Sequence, residues 1–580
     1  ESAPMSKSHS SAHSVSEIIT ESLLEAGAKR CYGIVGDTIN HFTDAIRRSE
    51  IEWVHVRHEE VAGFAAGGES FISGELTCCA GTCGPGSTHF LNGLIESHRN
   101  GAPVVFIASQ IDTAEMGVGF PQDVDQKALY SQYSVFCEYL TNPENARRMV
   151  AIAAQKALAE GGVAVLIVPG DLFPQKPKAS LPWRAHRFSP VIRPSEQELA
   201  AVAEALNQPG KVSIYAGVGC QGAQEEVLAL ARRLKAPVAW TSRAKDFIEP
   251  SNELEVGMTG VFGLQGGYEA VAECDTLLLL GCSFAWSQFY PDKATVIQVD
   301  LDPGKIGIRH PVDLGVVGSV KDTCAALLTR VDPRDDSGWL DSCRKKYLEA
   351  RDEAAVTSDD EHLIHPQELT LALDRHASED AVFTADGGSP MVWCLRHIRA
   401  NGKRRTLPSL MHGTMANAYP QGIGIQKAYP ERQVIAMCGD GGLSMLMGDL
   451  LTLKQEKIPL KIVIFNNSTL GFVELEQKVE GILDTYTELE NPDFSLLAQS
   501  MGLWGRRVEE KHELDEAVQS LLAQDGPGVL EVKVNRMELV MPPHIEAGQI
   551  ASTALYSAKA VLNGRMDDVV DLVRNNFTGR

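Results

Sequence analysis

Two polar residues that follow neighbouring apolar segments could bind a metal ion together. Asp440 lies in Gly439-Asp440-Gly441-Gly442, directly after the apolar segment 433–438, and Asn467 follows the apolar segment 460–465. Carboxylate and amide oxygens are ligands that Mg²⁺ prefers, and this ion commonly binds phosphate oxygens as well. Glycines allow the backbone to approach phosphates closely. The chemistry indicated is the binding of a diphosphate through a divalent cation.

The elements that must position these two residues form a βαβ unit. Each apolar segment is continuous and bounded by loop residues, which is typical of a buried parallel strand. Between the segments, a helical spacing is kept by Leu443, Met447, Leu450, Leu451 and Lys454. Because parallel strands end at the same edge of a sheet, we expect Asp440 and Asn467 to face one spot beside a helix N terminus.

A second group of candidate residues lies nearer the start of the chain. The stretch His58-Glu59-Glu60 joins a short strand to a helix of small residues. Glu59 falls in the first turn of that helix, where acidic residues are common because they face the positive end of the helix dipole. Cys83-Gly-Pro-Gly86 is a turn between a strand and a helix. His89 follows it, either as a satisfied polar residue under the loop or as a group that handles a proton.

The spacing of the first motif resembles that of a known superfamily. Gly-Asp-Gly, then an interval of 24 residues from Gly442 to Phe465, then Asn-Asn, is similar to the thiamine diphosphate signature of the decarboxylase and acetolactate synthase superfamily. In that superfamily a glutamate in a His-Glu context hydrogen-bonds the aminopyrimidine ring of the cofactor and promotes its imino form. The resemblance implies this role for Glu59. It also implies that Met415 wedges under the cofactor.

The same resemblance implies a set of site residues. The implied catalytic residues are Glu59, His89, Gln122 and Phe472. The implied contacts to thiamine diphosphate are Gly413, Thr414, Met415, Gly439, Asp440, Gly441, Gly442, Asn467, Leu470 and Gly471. The implied Mg²⁺ ligands are Asp440, Asn467 and the backbone carbonyl of Thr469.

A dinucleotide motif occurs in the middle of the chain. Gly217-Val-Gly219-Cys-Gln-Gly222 matches G-x-G-x-x-G, but the acidic residue expected after the next strand is missing from the segment 237–241. A nicotinamide cofactor is therefore disfavoured. A better nucleotide-binding edge, which by resemblance would take FAD, contains Thr259, Gly260, Cys282, Ser283, Phe284, Asp300 and Asp302. Asp300 could bind a ribose hydroxyl or belong to an ordinary acidic turn.

Composition and charge limit the class of protein. With 53 basic and 76 acidic residues the net charge is −23, which disfavours nucleic acid and gives no general attraction to anionic membranes. The 12 cysteines form no paired metal-binding pattern and are expected to be reduced thiols of a cytoplasmic protein. Neither a signal peptide nor a spanning helix is indicated.

The alternation of strands and helices predicts an α/β protein with three doubly wound parallel-sheet domains and a C-terminal amphipathic helical tail. We place a pyrimidine-binding domain at 14–185, a central FAD-binding domain at 195–330, a diphosphate- and Mg²⁺-binding domain at 366–541 and the tail at 542–580. The proline-rich stretch 175–194 and the charged stretch 331–365 are predicted linkers.

From Ser14 onwards the chain resembles the bacterial pyruvate:quinone oxidoreductases. This implies a homotetramer that holds thiamine diphosphate, Mg²⁺ and FAD, decarboxylates pyruvate and passes electrons through flavin to a membrane quinone. The chain departs from that pattern at Pro121-Gln122-Asp123, where the relatives have Phe-Gln-Glu, and at Gln110, where they have histidine. The substrate is therefore pyruvate or another 2-oxo acid.

Two other functions stay open at this point. The first is a carboligase or decarboxylase similar to acetolactate synthase, with FAD in a structural role only. The second is a flavin-binding regulatory protein without catalysis, which the presence of Glu59, Asp440 and Asn467 disfavours.

The tail carries apolar residues on helical faces. One face contains Ala551, Ala554, Leu555, Ala558 and Leu562, and a second contains Met566, Val569, Val570, Val573 and Phe577. Such a helix packs on its own subunit or lies on a lipid surface. The resemblance implies weak, reversible contact with the membrane, which would make the protein cytoplasmic and peripheral at the inner face of the cell membrane.

Overall fold

The computed structural model describes residues 13–178, 181–538, 555–560 and 569–570. Within these ranges the strands form three six-stranded sheets in which neighbouring strands run parallel. The strands of the first sheet are β1 (Arg30–Gly33), β2 (Glu52–His55), β3 (Thr77–Gly81), β4 (Val104–Gln110), β5 (Phe136–Tyr139) and β6 (Val163–Pro169). Those of the second are β7 (Val212–Ala216), β8 (Val238–Trp240), β9 (Glu255–Met258), β10 (Thr276–Leu280), β11 (Thr295–Asp300) and β12 (Leu314–Val317). Those of the third are β13 (Val382–Ala385), β14 (Arg405–Pro408), β15 (Val434–Gly439), β16 (Lys461–Asn466), β17 (Trp504–Val508) and β18 (Gly528–Lys533).

Helices cover the sheets and connect successive strands. The helices of the first domain are α1 (Val15–Glu25), α2 (Asn40–Arg47), α3 (Glu59–Ser73), α4 (Pro85–Thr88), α5 (Leu91–Arg99), α6 (Gln126–Tyr130) and α7 (Ala146–Lys156). Those of the second are α8 (Glu196–Asn207), α9 (Gln224–Leu234), α10 (Lys245–Ile248), α11 (Gln265–Ala272), α12 (Val320–Leu327) and α13 (Gly338–Ala354). Those of the third are α14 (Pro366–His376), α15 (Ser389–His397), α16 (Ala418–Ala428), α17 (Asp440–Leu446), α18 (Leu450–Gln455), α19 (Gly471–Val479), α20 (Phe494–Ser500) and α21 (Leu514–Leu522).

The strand orders show which domains are alike. The first sheet has the order β2-β1-β3-β4-β6-β5, and the third repeats it as β14-β13-β15-β16-β18-β17. The second sheet has the order β12-β11-β10-β7-β8-β9, which is the doubly wound order common in dinucleotide-binding domains. The predicted architecture of three doubly wound α/β domains is confirmed. In the second sheet the order in which strands are added reverses between β7 and β10, which lie side by side, and such folds bind ligands at this switch point.

The first and third domains share one hydrophobic core around α3 and α16. It combines residues such as Val61 and Ala65 with Ile423 and Leu443. The two helices approach so closely that a Cβ atom on Gly424 would lie 1.8 Å from the carbonyl oxygen of Ala65. A side chain there would force the domains apart, so this glycine sets how the two domains meet.

Two sequence predictions about local structure were wrong. The predicted single helix over 443–454 is broken by a 3₁₀ turn at Met447–Asp449 between α17 and α18. The stretch 331–365, predicted to be a linker, contains the 17-residue helix α13. Its buried residues Leu340, Cys343 and Tyr347 follow a helical spacing that the surrounding charged residues obscure.

Most of the predicted tail lies outside the described residues. Residues 555–560 are helical, and Tyr556 and Ala560 are buried in the same hydrophobic core as Met391 and Trp393. In the part of the chain that the structure describes, no helix is both long enough and apolar enough to cross a membrane.

Candidate active site

Glu59 opens helix α3 and faces a histidine from the neighbouring loop. The imidazole of His58 caps the helix, because its Nδ1 accepts the backbone N–H of Glu60 at 3.2 Å. A hydrogen bond of 2.9 Å joins Glu59 Oε2 to His89 Nδ1, and the rings of His58 and His89 stack with centroids 4.9 Å apart. His89 therefore contacts the Glu59 carboxylate directly, and both alternatives for this histidine, a satisfied polar residue and a group that handles a proton, stay open.

This cluster has the composition of a metal site but not the geometry. One ligand atom from each of His58, Glu59 and His89 lies within 4.8 Å of the others. Imidazole nitrogens direct their lone pairs within the ring plane, and these two ring planes are only 18° from parallel. Two nearly parallel, stacked planes do not converge on one ion. The arrangement instead holds His89 against Glu59.

A polar network connects this region to the loop before Met415. Asn92 on α5 donates to Glu60 Oε1 at 2.7 Å and to Thr414 Oγ1 at 3.1 Å. Its side-chain oxygen is 2.8 Å from Nε2 of His412. Glu60 is thus held by Asn92, which also contacts the third domain, whereas Glu59 faces His89.

Asp440 lies at the N terminus of α17, and its two carboxylate oxygens accept different numbers of hydrogen bonds. Oδ2 accepts the backbone N–H of Ser468 at 2.8 Å and the amide of Asn491 at 2.7 Å, whereas Oδ1 accepts the N–H of Gly441 at 2.9 Å. Burial raises the pKa of Asp440, and these hydrogen bonds oppose the rise. Because a carboxylate oxygen has two lone pairs, Oδ1 keeps one for a cation.

The residues around Asp440 fit a magnesium diphosphate group. Asn467 Oδ1 accepts the N–H of Thr469 at 3.2 Å and keeps a second lone pair for an ion. Ser468 between them has a φ of 56°, an unusual left-handed conformation for this residue type. Met415 and Leu470 lie against Gly441, since a Cβ there would be 3.1 Å and 3.0 Å from their side chains. Carboxylate, amide and backbone oxygens in a tight glycine loop are the donor set that Mg²⁺ requires.

Asp386, which the sequence prediction missed, supports this loop from below. It follows β13, and its carboxylate accepts the backbone N–H of Ala418 at 2.9 Å and that of Gly439 at 3.0 Å. A Cβ on Gly442 would be only 2.2 Å from Asp386 Oδ2. The carboxylate therefore joins the loop that carries Met415 to the loop that carries Asp440. Its position after a short apolar strand, in Ala385-Asp386-Gly387-Gly388, was the available signal.

Asp386 is expected to make stability depend on pH. Burial raises its pKa from 3.8 to about 7. The folded protein then holds a proton that the unfolded chain has released, so the contribution of Asp386 to the free energy of unfolding falls as pH rises from about 4 to about 7. We expect cofactor-free Asp386→Asn to lose less stability over this range than the cofactor-free parent, as measured by urea unfolding at several pH values. Equal pH slopes in the two proteins would contradict a buried, protonated Asp386.

The second sheet presents an edge with unsatisfied polar groups. Thr259, in the loop after β9, is buried, and its hydroxyl has no hydrogen-bond partner within the described ranges. The hydroxyl of Tyr215 on β7 is also buried and has no hydrogen-bond partner among the described residues. The ring of Tyr215 packs edge-on against Phe284, with the ring centroids 5.3 Å apart. An unpaired buried hydroxyl is costly, so the hydroxyl of Thr259, which has no partner among the described residues, fits a bound group that would satisfy it.

The glycine motif of this domain serves close packing at the switch point. Gly281, at the end of β10, has a φ of 55°, and a Cβ on it would lie 2.4 Å from Cα of Gly219. The ends of β7 and β10 therefore meet through backbone atoms alone. Asp300 ends β11 and accepts the N–H of Asp302, which in turn caps the next turn through Gly304. Both alternatives for Asp300 remain open, because it forms an acidic turn and lies at the predicted edge.

The positions where the chain departs from the pyruvate:quinone pattern lie together. Gln110 at the end of β4 donates to the carbonyl of Val124 at 2.7 Å and lies 3.5 Å from Asp123. Gln122 has a φ of 68°, and its side-chain oxygen is 3.1 Å from the thiol of Cys83. The predicted glycine turn and the predicted substrate segment are thus in contact. A left-handed glutamine is strained, which is frequent at functional sites.

For two further predicted site residues, Phe472 and Ser283, the structure gives a position and contacts but no functional role. Phe472 lies in the first turn of α19 and is partly buried against the core of the third domain. The hydroxyl of Ser283 lies 3.4 Å from Nε of Arg309. The roles assigned to these residues, and to the other site residues, stay predictions.

Fold and site together define a three-domain α/β protein whose third domain carries residues suited to a magnesium diphosphate group and whose first domain presents a glutamate at a helix start. Three family models match the chain: the N-terminal TPP binding domain of thiamine pyrophosphate enzymes at 13–129, their central domain at 199–327 and their C-terminal TPP binding domain at 386–532. The chain belongs to the thiamine pyrophosphate enzyme family, in the group that includes pyruvate oxidases and acetolactate synthases.

Individual relatives cover nearly the whole chain. The thiamine pyrophosphate-containing protein YdaP of Bacillus subtilis is 34% identical over 94% of this chain and 95% of its own length. Pyruvate oxidase of Lactiplantibacillus plantarum is 29% identical over 88% of this chain and 87% of its own. The acetolactate synthase large subunit of Corynebacterium glutamicum is 29% identical over 93% of this chain and 89% of its own. The predicted superfamily is confirmed.

Proposed function

We propose that this enzyme oxidises pyruvate and transfers the electrons through FAD to a quinone. In the balanced reaction, pyruvate, water and quinone give acetate, CO₂ and quinol. The carbon–carbon bond to the carboxylate breaks, the former carbonyl carbon is oxidised to a carboxylate, and two electrons and two protons reach the quinone. A relative named pyruvate oxidase that aligns with 88% of the chain supports the oxidation of pyruvate, and the quinone as acceptor is part of the proposal.

The residues of this chain would have three roles: binding the metal ion, supporting the cofactor and exchanging a proton with it. When bound, thiamine diphosphate supplies the electron sink for loss of CO₂, and FAD supplies a two-electron acceptor. Asp440 and Asn467 would hold the ion that binds the diphosphate, and Met415 would support the cofactor from below. Glu59 would exchange a proton with the cofactor ring, with His89 fixing the orientation of its carboxylate.

The observation that carries the flavin part of the proposal is the buried hydroxyl of Thr259. It lies at the edge of a sheet with dinucleotide-binding strand order, and it has no partner in the described part of the chain. A hydroxyl in this state costs stability unless a ligand accepts or donates a hydrogen bond. A flavin nucleotide at this edge would satisfy it.

Thr259→Val is therefore expected to act in opposite directions on the free and the flavin-bound protein. The flavin-free variant should be more stable by about 1 kcal/mol, because an unsatisfied buried hydroxyl is replaced by a methyl group of the same shape. FAD should bind about 10-fold more weakly, because the hydrogen bond is lost. Thermal unfolding without flavin and titration with FAD measure the two effects. Unchanged FAD affinity would contradict the assignment of this edge to flavin.

A carboligase is the second candidate, because acetolactate synthases are as similar to this chain as pyruvate oxidase is. The substitutions at Gln110 and Asp123 leave room for another acceptor or 2-oxo acid. One experiment separates the two. Purified enzyme with thiamine diphosphate, Mg²⁺ and FAD is given pyruvate, and reduction of 2,6-dichlorophenolindophenol is compared with acetolactate formation. Acetolactate without dye reduction would overturn the oxidase proposal.

We extend the proposal to a homotetramer that works at the inner face of the cell membrane. Lys559 donates to the carbonyl of Gly481 at 2.7 Å, and Tyr556 is buried, so the described part of the tail rests on the third domain. Deleting residues 551–580 should preserve dye reduction while eliminating reduction of quinone in lipid vesicles. Equal rates of vesicle quinone reduction in the truncated and full chains would show that the tail only packs.

A further inference from the structure

The turn that leads into Glu59 is held by side chains of the third domain. Asp449, in the 3₁₀ turn between α17 and α18, accepts the backbone N–H of Arg57 at 2.8 Å through its Oδ1. The N–H of His58 faces the same carboxylate. Gln455 accepts a hydrogen bond from the Arg57 guanidinium at 2.8 Å, and Glu456 accepts the N–H of His55 at 3.2 Å.

Helix α17, which begins at Asp440, leads into the turn that places Asp449 for this contact. Asp449 is 1% exposed and is not among the site residues described above. Burying a carboxylate is costly unless hydrogen bonds compensate. Here the compensation comes from the N–H groups just before α3 and from the hydroxyl of Thr452 at 2.6 Å. The positive end of α3 adds a favourable field for a negative charge at this place.

We propose that Asp449 is a positioning residue for Glu59. Its carboxylate fixes the two backbone groups from which α3 starts, and so fixes the point from which the Glu59 side chain extends towards the cofactor. This inference rests on the proposed role of Glu59 in proton exchange. Asp449 itself contacts no substrate, and its effect passes through the turn 55–58.

The test is exchange of the C2 proton of thiamine diphosphate, bound to the full-length enzyme with Mg²⁺, for deuterium in D₂O. This step needs Glu59 but neither pyruvate, FAD nor quinone. Asp449→Asn keeps the shape of the side chain but cannot accept both N–H groups. We expect it to slow exchange about 10- to 100-fold, the effect of moving a catalytic group by a fraction of an ångström to 1 Å. Affinity for thiamine diphosphate should stay within about threefold of the parent, a difference below 1 kcal/mol.

Two further variants distinguish positioning from a general structural role. Thr452→Val removes one hydrogen bond from the same carboxylate but leaves the contacts to Arg57 and His58, so exchange should stay near the parent rate. Glu456→Ala removes the acceptor of the His55 N–H without altering the buried Asp449 carboxylate, and it should slow exchange by a smaller factor than Asp449→Asn. It also tests the turn if Asp449→Asn folds poorly.

A double-mutant cycle gives the decisive result. In a Glu59→Gln background, Asp449→Asn should cause no further loss, because its effect passes through Glu59. An additional loss of the same size in that background, or unchanged exchange in Asp449→Asn alone, would overturn the inference. Parent-like exchange in Glu59→Gln alone would instead refute the proposed role of Glu59, so the two failures are distinguishable.

Discussion

Glu59→Gln is expected to lower turnover of pyruvate by about 10²- to 10⁴-fold, the usual contribution of general acid–base catalysis. The amide keeps the size of the carboxyl group, and it can still meet His89, which lies 2.9 Å from the native carboxylate. It cannot exchange a proton with the cofactor ring. Thiamine diphosphate should therefore bind with near-parent affinity while dye reduction is almost lost. Steady-state kinetics and calorimetric titration measure the two quantities separately.

Glu60→Gln is the matched control for this variant. The two glutamates are neighbours in the first turn of α3, but Glu60 accepts a hydrogen bond from Asn92 rather than facing His89. An amide oxygen can accept the same bond, so Glu60→Gln should keep most of the activity. If Glu60→Gln were inactive and Glu59→Gln active, the catalytic assignment would belong to the other glutamate.

Asp440→Ala is expected to abolish binding of the metal and its cofactor at ordinary concentrations. The variant loses the carboxylate that would bind the metal ion of the diphosphate, and it frees the N–H groups of Gly441 and Ser468 that shape the loop. Loss of a residue that only orients a metal ligand typically costs 10- to 100-fold in affinity, and loss of a ligand should cost more than about 100-fold. Calorimetric titration with thiamine diphosphate and Mg²⁺ measures this directly.

Asp449→Asn provides the comparison for Asp440→Ala. Both positions carry buried carboxylates, at opposite ends of the segment 440–449. Only Asp440 belongs to the proposed ion site, so only its loss should weaken cofactor binding. Equal losses in the two variants would mean that the segment as a whole, rather than the Asp440 carboxylate, controls affinity.

The amino-acid pattern is sufficient to predict the fold class and the sheet edge at which chemistry occurs. Apolar segments of strand length alternate with helical spacings, and parallel strands joined by helices bring their carboxyl ends to one edge. Local pattern and this topological rule together place Asp440 and Asn467 near each other. Glu59 is placed at a helix start by the change from a short strand to a run of small residues.

Which polar residues support those candidates depends on tertiary packing. Asp386 hydrogen-bonds Ala418 and Gly439, and Asp449 hydrogen-bonds Arg57, so each depends on segments distant in the chain. The burial that raises the pKa of Asp386 to about 7 exists only once three loops have packed together. That the hydroxyl of Thr259 has no partner among the described residues likewise becomes evident only when its neighbours are in place. A sequence pattern specifies which groups a residue brings, whereas partners and exclusion of water are properties of the packed molecule.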